Sequence, residues 1–144
     1  MHLKSKTLAA FFSGLTLLTA AVPTFAQDNN LRGIALELSA AEEVGAACRI
    51  SFVATNGHET DIEKAVYEVV LFGESGAVER LTLLDFRDLP AGRPRVRQFQ
   101  FDKVVCSAIP RILINGAETC DGLPKGGCTD NLSLRTRTKT ELIG

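Results

Sequence analysis

From Gly33 onward the sequence breaks into short segments in which apolar residues recur at every second position, each closed by Gly, Pro, Asn or Asp. A period of two is the pleat of a half-buried β-strand, and strands of this length between turn residues favour a two-sheet sandwich. Ile34, Leu36 and Leu38 alternate with Ala35 and Glu37, while Cys48, Ile50, Phe52 and Ala54 alternate with Arg49, Ser51 and Val53. This spacing predicts two paired strands joined by a loop at 42–46, with Cys48 on the inward face beside Phe52.

Asn56-Gly57-His58 then supplies a turn, since Asn and Gly accept positive φ. Residues 65–72 form an apolar run with few polar positions, as a central strand requires, and Glu74-Ser75-Gly76 turns it into a strand over 78–86. Asp88 to Gly92 breaks the chain before strands at 96–101 and 109–114, the latter opened by Pro110 and ended by Asn115-Gly116. Residues 119–131, rich in Gly, Pro, Lys and Asp, read as a loop, and 132–138 as a last strand. Short helices at 40–47 or 61–65 are the alternatives, because Ala and Glu favour them. The pattern amounts to an all-β sandwich of about seven strands over residues 33–144, filled by Ile, Leu, Val and Phe.

The first 26 residues have a different character. Lys4 and Lys6 precede an uncharged run from Leu8 to Val22, and Thr24-Phe25-Ala26 places small residues one and three positions before a cut. The run is 15 residues long and broken by Ser13, Gly14, Thr16 and Thr19, short of the roughly 20 apolar residues a membrane helix needs. Residues 1–26 are therefore expected to be a signal peptide, 27–32 a flexible N-terminus, and the protein to be periplasmic with no membrane span after cleavage. Cleavage takes 26 of 144 residues and leaves 118; two lysines go with it, so 16 basic side chains become 14 against 17 acidic ones, a formal charge of −3. An acidic chain of this kind lacks the basic face of a nucleic-acid binder.

Cys48, Cys106, Cys120 and Cys128 all lie beyond the cut, and an even count carried into an oxidising compartment predicts two disulfides. Of three possible pairings, Cys48–Cys106 with Cys120–Cys128 is preferred: the first pair falls in two apolar segments and the second brackets a Gly/Pro-rich loop. A zinc site is disfavoured because there is no Cys-x-x-Cys and His58 is the only histidine after the leader. No metal and no cofactor are expected.

Catalytic constellations are equally thin. His58 lies in a turn, without a nucleophile and orienting acid in view, and reads as a solvated surface residue. The carboxylate pairs Glu42-Glu43 and Asp85 with Asp88 have no evident cleft, and with no Trp and a single Tyr there is little to stack a sugar. Residues 122–127 are glycine-rich but lie between two cysteines and are not followed by a Ser/Thr and a helix, unlike a phosphate-binding loop.

Residues 51–101 resemble the small extracytoplasmic immunoglobulin-like modules of the FxLYD type, through Asn56 at a strand end, Leu71-Phe72 with Gly76, and Leu89-Pro90-Ala91-Gly92 before the next strand. The stretch LTLLDFRDLPAGRPRVRQF, the cysteine layout and a strand ending in ILING also look like a group of small exported alphaproteobacterial proteins. The resemblance implies an immunoglobulin-like antiparallel β-sandwich in the periplasm, and no activity. Some leaders in that group carry twin arginines; this one does not, which favours general secretion.

The remaining charged feature is Arg87 with Arg93, Arg95 and Arg97, the last three spaced by two and so on one face of a strand. Such a face either clamps an acidic partner or guards an edge against aggregation. Arg135, Arg137 and Lys139 repeat the spacing. The reading is a non-catalytic periplasmic binding or assembly module, with Arg93, Arg95 and Arg97 as the candidate contact for an acidic periplasmic protein. The alternative is a periplasmic enzyme or thiol-disulfide redox protein with an unrecognised site.

Overall fold

The computed structural model describes residues 32–144; the expected signal peptide and residues 27–31 lie outside the described residues. The alternating segments become eight strands: β1 (Ile34–Val44), β2 (Ala47–Asn56), β3 (Ile62–Phe72), β4 (Val78–Leu89), β5 (Pro94–Asp102), β6 (Arg111–Asp121), β7 (Ser133–Thr136) and β8 (Glu141–Ile143). They form two four-stranded sheets, ordered β5-β2-β1-β7 and β4-β3-β6-β8. The inward positions of the two sheets meet in one core, in which Ile34, Leu36, Leu38, Ile50, Phe52, Tyr67, Val69, Leu71, Phe86 and Ile112 are almost wholly buried. The fold is thus an all-β sandwich, as the period of two requires.

Several expectations need correction. Both candidate helices are strands: 40–44 belongs to β1 and 62–65 to β3. The β1–β2 connection is only Gly45-Ala46, with Gly45 at φ 60°, so the alternation runs on through most of the expected loop. A bulge between Leu38 and Ala40 shifts the register there, and the Ser39 hydroxyl donates to the Ser51 carbonyl.

Asn115-Gly116 does not end its strand. β6 continues to Asp121, and against β3 its register slips twice, leaving Asn115 and Glu118 as unpaired extra residues. The dipeptide makes a bulge because β3 is long enough to pair on both sides of it. In β4, only Leu84, Phe86 and Leu89 turn inward; Val78, Leu81 and Leu83 lie exposed on the outer face.

The antiparallel pattern also fails at two edges. β7 pairs in parallel with β1, and β8, not anticipated, pairs in parallel with β6. Between them the chain crosses from one sheet to the other, fastened by the Arg137 N–H to the Leu38 carbonyl, the Thr140 hydroxyl to the Ile109 carbonyl and the Glu141 N–H to the Pro110 carbonyl.

Both preferred disulfides form. Cys48 on β2 joins Cys106 in a three-residue 3-10 turn, and Cys120 on β6 joins Cys128 in the loop that follows. That loop is also held from below: the buried Tyr67 hydroxyl donates to the Cys128 carbonyl at 2.7 Å. Burial pushes the Tyr67 phenol well above its ordinary value, because the interior solvates the phenolate far less than bulk water does. The raised value means that this group's contribution is fully present below pH about 10, where the unfolded chain's tyrosine begins to ionise, and is lost progressively above it. Tyr67 is the single tyrosine, so phenolate absorbance reports on it alone. Folded protein is expected to show almost none at pH about 11, where the urea-unfolded chain is mostly ionised.

Candidate functional site

β4 and β5 are edge strands of opposite sheets, and the open side between them is where the predicted arginines lie. Arg95 and Arg97 share strand parity with Phe99 and Phe101, so they point toward the facing sheet. β4 is the edge strand of that facing sheet, and the guanidinium of Arg97 reaches its backbone. Nε donates to the Phe86 carbonyl, and Nη2 donates to the Asp88 carbonyl at 2.8 Å and to Asp88 Oδ1 at 3.2 Å. The Arg97 side chain is only 17% exposed. Arg95 Nε lies 4.0 Å from Asp88 Oδ2, and Arg93, just before β5, is exposed with no ion pair among the described residues.

The three arginines therefore do not form one solvent-facing row. Arg97 fastens β5 to β4, Arg95 is half committed, and Arg93 makes no ion pair among the described residues. Because Arg97 holds two edge carbonyls and a carboxylate, Arg97→Ser is expected to cost about 1–3 kcal/mol in urea unfolding, whereas Arg93→Ser should stay within about 0.5 kcal/mol. A second strap closes the other end, where Arg80 Nη2 on β4 donates to the Asp102 carbonyl on β5 at 3.2 Å.

The open side forms a groove of about 490 Å³ lined by Asp85, Arg87, Val96, Arg97, Gln98 and Phe99. Arg87 sits at an irregularity of β4, where it faces Ala65 while Asp85 faces Val66, and its φ is 59°. Its N–H donates to Asp85 Oδ1, but its exposed guanidinium has no hydrogen bond or ion pair among the described residues.

The other sites considered from sequence are committed to structure. His58 is half-buried, not fully solvated: its Nε2 is 2.9 Å from the Gly127 carbonyl, and its N–H donates to Asn56 Oδ1. The buried Asn56 amide in turn donates to the carbonyls of Thr60 and Leu89, pinning the turn. Glu42 pairs with Arg49, Glu43 accepts the Cys106 N–H, and Arg137 pairs with Glu37. Among the described residues no cluster of three or more His, Cys, Asp or Glu side chains is placed to hold a metal. None of their helices is long and apolar enough to cross a membrane.

The strand order, the two-sheet core and the open side define a β-sandwich. A solved structure of this class, that of IrmA from Escherichia coli, is similar to the chain with a TM-score of 0.56 and 13% sequence identity, covering 72% of this chain and 91% of that one. No protein-family model matches the sequence, and no curated protein matches it either. The likeness is one of fold. The two disulfides add the signature of a chain that folds in an oxidising, exported environment.

Proposed function

We propose that the protein is a non-catalytic binding or assembly module of the periplasm, a small exported β-sandwich related in kind to the immunoglobulin-like FxLYD modules, delivered by general secretion and cleaved after Ala26. Its partner is an acidic protein that docks on the β4–β5 side through Arg93 and Arg95.

The observation that carries this reading is the unequal use of the arginines. Arg97 is consumed in holding the strands, while Arg93, four residues earlier, presents a guanidinium with no acid paired to it among the described residues, on a chain whose net charge is negative. A local positive patch of this kind speeds association and selects carboxylate-bearing surfaces. The disulfides favour binding over redox exchange: Cys48 and Cys128 are at most 1% exposed, and no free cysteine is present to attack them.

The test is capture from a periplasmic extract by the immobilised protein and by an Arg93→Ser/Arg95→Ser variant that leaves Arg97 in place. An acidic protein retained at low salt, released near 0.3 M salt on the order expected for screening, and lost by the variant supports the reading. Equal capture by both proteins overturns it.

A further inference from the structure

We propose that the groove between β4 and β5 receives an extended acidic segment of the partner, which lies along the free edge of β5 and sets a carboxylate on Arg87. This rests on the binding-module reading and names how the partner is recognised.

The first observation is the cost of placing arginine at position 87. A φ of 59° lies in the left-handed region, where a side chain crowds its own backbone and glycine does not. The register of β4 on β3 leaves Phe86 as the extra residue of a bulge, and Arg87 follows it in this conformation. Here the residue is arginine: its backbone pairs with Ala65 and its N–H donates to Asp85 Oδ1, while the guanidinium meets no acceptor among the described residues and, unlike Lys103 at the same φ, lines a groove. A strained position bearing a free charged group beside a groove is the arrangement expected where a ligand supplies the missing contact.

The second observation is the shape of the opening. Arg97 and Arg80 strap the two ends of the β4–β5 side, and between those straps no side-chain hydrogen bond crosses from one strand to the other among the described residues. Val96, 61% exposed, and Gln98 form one wall of the groove on β5. Among the described residues β5 is paired on one side only, with β2, and its Pro94 and Val96 carbonyls accept from Nη1 of Arg95 and Arg97, contacts an added strand would have to displace. A strand with one unpaired side carries backbone donors and acceptors ready for an added strand, and the side chains flanking it set the sequence preference. Arg87 within the groove, with Arg93 and Arg95 toward the start of β5, selects carboxylates, and arginine grips them bidentately.

The probe is a blocked octapeptide alternating Glu and Thr, with a Lys/Thr octapeptide and free glutamate as controls. Binding to the isotope-labelled exported protein is followed by backbone amide shifts in about 20 mM salt, where screening is weak. The Glu/Thr peptide is expected to shift Arg87 and residues 96–100, and the Lys/Thr peptide and free glutamate to leave them in place. Arg87→Gly is expected to weaken peptide binding by about tenfold or more, as loss of a charge-assisted pair does. It should melt no lower than the parent, because glycine relieves the backbone, so weaker binding cannot be ascribed to unfolding.

Absence of shifts with the Glu/Thr peptide, shifts mapped elsewhere, equal binding by Arg87→Gly, or equal binding of free glutamate each overturns the proposal. Failures are told apart by repeating the extract capture. If Arg93→Ser/Arg95→Ser abolishes capture and Arg87→Gly does not, the groove proposal falls and the binding-module reading stands; if neither variant alters capture, both fall.

Discussion

Replacing Cys48 and Cys106 together by alanine is expected to lower the unfolding free energy by about 4 kcal/mol, the loss that loop entropy assigns to a bridge of this span. The bridge joins residues 58 positions apart, at a Cα separation of 5.0 Å. It anchors the 3-10 turn after β5 to the inner face of β2, and the turn's first N–H is held besides by Glu43. The companion change at Cys120 and Cys128, which are 8 positions apart, is expected to cost less, about 2.5 kcal/mol. Urea unfolding of the two double variants beside the parent measures both, and a larger loss for the short loop would contradict the ranking.

Phe86→Ala is expected to cost about 3–5 kcal/mol, the range for an aromatic removed from a close-packed interior. Its ring lies edge-on to Phe52 at 5.4 Å and to Tyr67 at 5.5 Å, and tilted against Phe99 at 5.1 Å, so one truncation strips contacts from β2, β3 and β5 together. Phe86 is fully buried although β4 is an edge strand, because its ring turns into the core against these three, and Arg97 also bonds its carbonyl. A fall in the urea midpoint with an unchanged slope checks the loss. Phe99→Ala, at a half-buried position, is expected to cost less.

The strands whose alternation faces one continuous core could be read from sequence: Ile34-Leu36-Leu38 and Cys48-Ile50-Phe52 lie inward as their period demands. The cysteine pairing was legible too, because Cys48 and Cys106 fall in apolar segments and Cys120 and Cys128 bracket a Gly/Pro-rich loop. What escaped was set by tertiary partners. Asn115-Gly116 carries the local chemistry of a turn, yet pairing along β3 absorbs it as a bulge; β8 has three residues, too few to show a period, and exists because β6 offers it an edge. The arginine face is instructive in another way. Arg95, Arg97, Phe99 and Phe101 are all odd-numbered in one strand, so parity already put the arginines on the apolar face. Alternation could not show that the sheet opposite ends in an edge strand, with open carbonyls for Arg97 to take. Arg87 gave no signal beyond its charge, since its left-handed backbone, which Lys103 and Asn131 share, goes with the register of β4 on β3.

The parallel pairing of β7 with β1 bears on how quickly the native state is reached. Residue 36 meets residue 134, and Arg137 closes on the carbonyl of Leu38, so the first sheet cannot be completed until nearly the whole chain is available. Ladders that join such distant residues place the entropy of closing a long loop ahead of the contacts that reward it, and all-β chains of this kind fold on the order of milliseconds to seconds. A chain still emerging, with residues 133–143 not yet released, has the outer edge of β1 bare and the second sheet without its last strand. Native structure here is acquired late and as a whole, a property compatible with the export proposed above.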